Sequence, residues 1–146
     1  MQIANYLCNG NYAVSGSIPA IEKLAEIAKP EFKARMVVKL AVAGAFHTEF
    51  MAPAAAQLGA ALEATPFQAP RIPVISNVTG LPHTGDAATI RATLAKQLTS
   101  PVLWEGSMLT LLDKGMESST EVGPGKVISG IMKRINKAAV CENFTV

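Results

Sequence analysis

Apolar residues recur at helical spacing in several stretches of the chain. Ser17 and Asp86 are residue types that begin helices, and Pro19 and Pro53 are tolerated because each lies in a first turn. Pro30 and Gly115 mark helix ends. The spacing predicts five helices, in residues 17–29, 50–62, 86–98, 106–114 and 126–135.

Alternation of apolar and polar residues predicts strands between these helices. The predicted strands are residues 12–15, 35–42, 72–77 and 119–122. The first two strands and the helix between them form a compact lobe over residues 11–42, whereas residues 138–146 are expected to be a loose end. Strands that alternate with helices indicate the α/β fold class.

Composition narrows the classes of function. With 49% hydrophobic and 16% charged residues among 146, the chain is long and apolar enough to bury a core. The net charge of +2 is too small to indicate a nucleic-acid partner, and no apolar run is long enough to indicate a membrane partner. Cys8 and Cys141 are expected to be free thiols in a reducing compartment.

His47 is the candidate for chemistry. It follows the predicted strand 35–42 and a Gly44 turn, and a histidine held between rigid elements is typical of a general base. No Gly-x-Ser-x-Gly elbow occurs in the chain, so the base has no evident nucleophile. Taken alone, His47 is equally consistent with a structural role.

Three motifs in fixed order carry a resemblance to a known family. They are Gly-Ala-Phe-His-Thr at 44–48, followed by a Met-Ala-Pro-Ala helix start; Gln-Leu-Thr-Ser-Pro-Val-Leu-Trp at 97–104; and Glu-Val-Gly-Pro-Gly-Lys-Val-Ile-Ser-Gly at 121–130. From Asn5 to Ile135 the chain resembles the malonyl-CoA:acyl carrier protein transacylases. One departure is Leu7, which stands where family members often have a polar residue.

The resemblance implies the C-terminal part of an α/β-hydrolase-like acyltransferase core together with part of a ferredoxin-like small subdomain. Residues 1–43 would belong to the small subdomain, residues 44–137 to the core and residues 138–146 to a tail. The family's serine elbow, its arginine for the malonyl carboxylate and its oxyanion-hole segment would lie upstream of Met1. The chain is therefore expected to be a C-terminal portion that is inactive, or nearly so, by itself.

The resemblance also implies roles for individual residues. His47 would take the proton from the upstream serine, which carries the malonyl group from malonyl-CoA to the phosphopantetheine thiol of acyl carrier protein in fatty-acid biosynthesis. The backbone carbonyl of Gln97 would orient the imidazole. Phe46 would shape the acyl pocket in favour of malonyl over methylmalonyl, and Asn5 is assigned to substrate binding.

Malonyl-CoA enters this scheme as a substrate, and neither a cofactor nor a metal is expected. The protein is expected to be soluble, in the cytoplasm, or in a plastid or mitochondrion if a transit peptide lies upstream. Two other functions remain open at this point. The chain could be a piece of a multidomain polyketide or fatty-acid synthase acyltransferase, or a non-catalytic module that binds carrier protein.

Three further features concern a turn, a second histidine and a basic surface, and two of them have two possible interpretations. The Gly123-Pro124-Gly125 turn is either a tight turn or an anion site built from free backbone N–H groups. His83 is expected to be an exposed loop histidine without a ligand role. The basic face of the last helix is either solvated or a docking patch for an acidic carrier protein; its residues are Lys126, Lys133, Arg134 and Lys137.

Overall fold

The structure is a mixture of helices and strands, which confirms the α/β class. The computed structural model describes residues 1–145. In that range the strands are β1 (Gln2–Cys8), β2 (Asn11–Ser15), β3 (Val102–Leu103), β4 (Ser118–Val122) and β5 (Val140–Phe144). The helices are α1 (Ile18–Ile27), α2 (Ala52–Glu63), α3 (Ala87–Gln97), α4 (Trp104–Asp113) and α5 (Val127–Ile135), and a 3₁₀ helix, Glu49–Met51, leads into α2.

The central strand of the larger sheet is β1. It pairs antiparallel with β2 and parallel with β3, so the strand order is β2-β1-β3. Asn9 and Gly10 connect β1 to β2, and Gly10 has a φ of 70°, a left-handed conformation that glycine adopts without steric cost. Because β3 is aligned with Asn5 and Tyr6, the hairpin is tied to a segment almost 100 residues away.

The second sheet consists of β4 and β5, which run parallel with α5 between them. Helix α5 packs against β1, β5 and α4, and its apolar face provides two core residues. Ile131 is 9% exposed and Met132 is 1% exposed. Since α5 contacts strands of both sheets, it joins the two halves of the structure.

All five predicted helices are present, and Asp86 caps α3 as expected. Its carboxylate accepts hydrogen bonds from the backbone N–H groups of Ala88 and Thr89 and from the Thr89 hydroxyl. The Thr89 hydroxyl is the main reason that the pKa of Asp86 is lowered, and the two backbone N–H groups add to it. Ser17 stands at the start of α1 without a capping hydrogen bond from its side chain.

Arg91 joins α2 to α3. Its Nε donates to the carbonyl oxygen of Leu62 at 2.8 Å, and its Nη2 donates to that of Thr65 at 2.9 Å. The guanidinium also lies over the ring of Phe67, 5.1 Å from the ring centroid. Leu62 lies in the last turn of α2 and Thr65 lies two residues beyond its end, so Arg91 binds the segment that closes this helix. The two helices are therefore held together by a charged side chain as well as by apolar contact.

The predicted strand 35–42 is wrong. These residues form no strand and pair with no other segment of residues 1–145, so the predicted strand-helix-strand lobe lacks its second strand. The apolar side chains that would have filled one face are instead 61–77% exposed; they are Met36, Val38, Leu40 and Val42. Alternation describes a segment that could form a strand, but the strand exists only where a neighbour supplies the hydrogen-bonding partners.

Two other predictions fail, and one strand was not predicted. Residues 72–77 contain only one isolated bridge, between Ile75 and Pro82. Residues 138–146 are not a loose end, because β5 pairs with β4 along its whole length; Val146 lies outside the described residues. Strand β1 was not predicted, although the Asn9-Gly10 pair is a strong hairpin signal. Strand β1 belongs to the predicted small subdomain and β3 to the predicted core, so the two units share a sheet. Their boundary at 43/44 stays a prediction.

Over residues 1–145, no helix has both the length and the apolar composition needed to cross a lipid bilayer.

Candidate active site

His47 lies in a turn immediately before the 3₁₀ helix. Its φ is +63°, and it is one of two non-glycine residues with a positive φ in the part of the chain that the structure describes. Its backbone N–H donates to the carbonyl oxygen of Leu98 at 3.0 Å. This left-handed conformation directs both the backbone and the imidazole of His47 to the end of α3.

The imidazole of His47 contacts two backbone carbonyls. Its Nδ1 lies 2.9 Å from the oxygen of Gln97 and 3.2 Å from the oxygen of Ser100. Carbonyl oxygens only accept hydrogen bonds, so we assign the hydrogen of the neutral ring to Nδ1. The lone pair is then on Nε2, which has no hydrogen-bond partner among residues 1–145. A ring in this tautomer is ready to accept a proton at Nε2.

One of the two carbonyls lies at the C-terminal end of α3, and the other, that of Ser100, lies three residues beyond it. Gln97 is the last residue of α3, and the final carbonyls of a helix carry the negative end of its dipole. The structure therefore places Gln97 where the sequence analysis expected it, with its backbone rather than its side chain toward the histidine.

A cavity of about 410 Å³ lies beside His47, between α2 and α3. Phe46 forms part of its wall and is 40% exposed. The cavity is mainly apolar; its other lining residues are His47, Leu58, Leu62, Leu94, Gln97 and Leu98. An apolar recess next to a proton acceptor is a common form of substrate site.

Asn5 does not line this cavity. It lies on the central strand β1, opposite Val102, and is half-buried. The structure thus brings together three of the four predicted site residues, Phe46, His47 and Gln97. The substrate-binding role of Asn5 stays a prediction.

Sequence reasoning missed two residues at this site. Ser100 supplies the second carbonyl to the imidazole, and Thr48 is completely buried next to the base. A backbone carbonyl leaves no trace in residue type, so Ser100 could not have been found from its side chain. Thr48 offered a signal, because a threonine directly before a helix is a common N-cap residue.

The Gly123-Pro124-Gly125 turn is closed to an outside anion by Glu121. This buried carboxylate accepts hydrogen bonds from the backbone N–H groups of Ile128, at 3.0 Å, and Ser129, at 2.9 Å. The Ser129 N–H is the main reason that the pKa of Glu121 is lowered. Two N–H groups at the start of α5 that could have bound a ligand are thus satisfied within the chain, which supports the tight-turn interpretation.

Two other predictions concern the surface. Lys133 and Arg134, on the basic face of α5, are both exposed, and Arg134 donates a hydrogen bond to the carbonyl oxygen of Asn9. His83 is half-buried rather than exposed, and its backbone N–H donates to the carbonyl oxygen of Val74. It lines a second cavity of about 290 Å³ with Arg71 and several prolines.

Comparison with known proteins connects this geometry to one group of enzymes. No protein-family model matches the chain. The malonyl CoA-acyl carrier protein transacylase of Bacillus subtilis is 40% identical over 137 residues, which is 94% of this chain and 43% of that protein. The chain is homologous to part of the malonyl-CoA:acyl carrier protein transacylases.

A second relative and a solved structure agree. The polyketide biosynthesis malonyl CoA-acyl carrier protein transacylase PksC of Bacillus subtilis is 38% identical over 95% of this chain and 48% of its own length. The crystal structure of MCAT from Mycobacterium tuberculosis has a TM-score of 0.88 and 39% identity, covering 98% of this chain and 46% of that one. The chain thus spans a little under half the length of the transacylases it matches.

Proposed function

We propose that this chain supplies the general base for transfer of a malonyl group from malonyl-CoA to an acyl carrier protein. The observation that carries the proposal is the contact of Nδ1 of His47 with the carbonyl oxygens of Gln97 and Ser100, which leaves Nε2 as the proton acceptor. The homologous proteins are acyltransferases. Acyl transfer through a serine ester needs a base of this kind.

In the proposed reaction, Nε2 of His47 removes the proton of a serine hydroxyl as the oxygen attacks the thioester carbonyl. The serine lies in a part of the transacylase that this chain does not match. Nε2 then gives the proton to the departing CoA thiolate. In the second half-reaction Nε2 removes the proton of the carrier-protein thiol as its sulfur attacks the serine ester, and it returns that proton to the serine oxygen as the ester bond breaks. The carbonyls of Gln97 and Ser100 hold the ring in one orientation and stabilise the imidazolium formed in each step.

We propose that Phe46 selects malonyl over methylmalonyl. Its ring forms a wall of the cavity beside His47, and a ring in that place would limit the room for a branch on the α-carbon. Excluding one methyl group is worth roughly 1–3 kcal/mol. In a complete transacylase containing this chain, Phe46→Ser should increase kcat/KM for methylmalonyl-CoA relative to malonyl-CoA. An unchanged ratio would mean that Phe46 only packs the turn.

Malonyl-CoA and acyl carrier protein are the proposed partners, and the proposed reaction uses no cofactor or metal. Lys133 is the residue of the basic face best suited to test carrier-protein docking, because it is exposed, whereas Arg134 has a hydrogen bond to preserve. Lys133→Glu should raise KM for carrier protein and leave KM for malonyl-CoA unchanged. Equal effects on both substrates would favour a simple solvated face.

A polyketide pathway is the second candidate, because one relative is named for polyketide biosynthesis. The malonyl transfer is the same in both settings, and the carrier protein differs. Comparing kcat/KM with a fatty-acid and a polyketide carrier protein would distinguish them. The cellular compartment stays a prediction.

The central test replaces the base in a complete transacylase that contains this chain. His47→Ala should reduce malonyl transfer by about 10³-fold or more, the usual range for a lost member of such a catalytic group. Gln97→Ala should retain activity within a few-fold, since only its backbone contacts the ring, and His83→Ala is the matched histidine control. Undiminished transfer by His47→Ala would refute the proposal.

We also propose that the chain by itself forms no acyl-enzyme. Incubation with malonyl-CoA followed by intact-mass spectrometry should show no malonyl adduct. A stoichiometric adduct would reveal a nucleophile within these 146 residues.

A further inference from the structure

The hydroxyl of Thr48 makes two hydrogen bonds that span His47. It donates to the carbonyl oxygen of Ala45 at 2.6 Å and accepts from the backbone N–H of Phe50 at 3.3 Å. Ala45 lies two residues before His47 and Phe50 lies three residues after it. The side chain therefore closes the turn that contains the base, and with 0% exposure it does so without contact with water.

The turn that Thr48 closes contains His47, whose backbone conformation is unfavourable. A non-glycine residue at a φ of +63° persists only where its surroundings hold it there. In this turn the holding contacts are the two hydrogen bonds of Thr48 and the bond from the His47 N–H to Leu98. The Thr48 bonds are the ones that close the turn on both sides of His47, so loss of the hydroxyl would weaken the restraint on the backbone and let the imidazole move away from α3 more often.

We infer that Thr48 is a positioning residue for the base, whose buried hydroxyl keeps the imidazole of His47 against the carbonyls of Gln97 and Ser100. Thr48 touches no reacting atom and acts through His47 alone. Its effect on catalysis rests on the proposed function. Its effect on the orientation of the ring does not, because that orientation is a property of this chain.

The orientation is measurable by NMR of the chain with ¹⁵N-labelled histidine. The sequence contains two histidines, so His83 provides an internal reference. We expect the wild type to hold His47 in the tautomer protonated at Nδ1, with slow solvent exchange of that proton. Thr48→Val should mix the tautomers and speed the exchange by about tenfold or more. Thr48→Ser, which keeps the hydroxyl, should restore the wild-type spectrum.

A purely structural threonine would give a different result. Thr48→Val would then lower the unfolding temperature and leave the ¹⁵N shifts and proton exchange of His47 as in the wild type, which would overturn the inference. Folding is followed by far-UV circular dichroism, and Thr48→Ala replaces Thr48→Val if the latter does not fold. If neither folds, Thr48→Ser decides: a wild-type His47 spectrum supports the inference, and mixed tautomers in this folded variant contradict it.

A kinetic measurement separates this inference from the proposed function. In a complete transacylase containing this chain, Thr48→Val should lower kcat at least about tenfold with little change in KM for malonyl-CoA, and Thr48→Ser should recover it. If His47→Ala leaves malonyl transfer intact, the proposed function fails while the NMR result for Thr48 stands. If the Thr48→Val spectrum is unchanged, the positioning role fails whatever the activity of His47→Ala.

Discussion

Arg91 holds together the two helices between which the site is built, so its replacement tests the packing that supports the base. Helix α2 follows the turn that contains His47, and α3 ends at Gln97. Arg91→Met removes both hydrogen bonds to the end of α2 and keeps most of the aliphatic stem. Arg91→Lys keeps the charge but loses the planar fork that reaches two carbonyls at once.

The expected loss of stability follows from the contacts of Arg91. The half-buried bond from Nε to Leu62 contributes about 1.5 kcal/mol, at the low end for a charged donor, and the exposed bond to Thr65 about 0.5 kcal/mol. The contact with the Phe67 ring adds about 0.5 kcal/mol. Ordering the long side chain opposes these gains by about 1 kcal/mol. Arg91→Met should therefore cost about 1.5 kcal/mol, and Arg91→Lys more than half of that.

Urea unfolding followed by circular dichroism measures this loss. With an m-value of about 1.5 kcal/mol/M, the midpoint for Arg91→Met should fall by about 1 M. Lys96→Met is the matched control, because Lys96 is exposed on the same helix, and its effect should stay below about 0.5 kcal/mol. A midpoint for Arg91→Met within about 0.2 M of the wild type would refute the reasoning. An Arg91→Lys midpoint equal to the wild type would show that charge alone suffices.

Three further predictions concern the framework. The pKa of Glu121 is lowered from its ordinary value of 4.5, so the ionised carboxylate stabilises the folded chain above pH 4.5, and this contribution is lost as the pH falls through the folded-state pKa. The difference in stability between the wild type and Glu121→Gln should therefore shrink on acidification. A difference independent of pH would contradict this. Lys33 has a φ of +57°, a left-handed conformation that is strained for a residue with a side chain. Lys33→Gly should therefore stabilise the fold by about 1 kcal/mol and raise Tm by about 2–4 °C. A lower Tm would show that the backbone there is unstrained. Met132 is 1% exposed, so Met132→Ala should cost about 2–5 kcal/mol in urea unfolding, and a loss below about 1 kcal/mol would mean that the core collapses around the truncated side chain.

The helices were predictable because their signals are local. Apolar spacing, first-turn prolines and the Asp86 cap all act within one or two turns, and each predicted helix is present. The strands depend on partners that sequence pattern does not name. Strand β1 pairs with β3 about 95 residues away, while residues 35–42 carry the stronger alternation and have no partner in residues 1–145.

The site, too, contains parts that the sequence predicted and parts that it did not. His47 could be proposed from its residue type and place, and its partner Gln97 from the resemblance to the transacylases. The contact with Ser100 and the left-handed backbone of His47 could not, because they arise from the end of one helix meeting a turn 50 residues earlier. Residue types record side-chain chemistry, and much of this site is made of main-chain atoms.

The use of a main-chain oxygen at position 97 also makes that position open to engineering. A cysteine introduced there could carry a fluorescent or spin label on the wall of the cavity while the carbonyl of the same residue still holds the imidazole. Of the natural thiols, Cys8 is buried and Cys141 is partly accessible, so removing Cys141 would direct labelling to the new site. Such a probe would report ligand entry next to the base without altering the atoms that orient it.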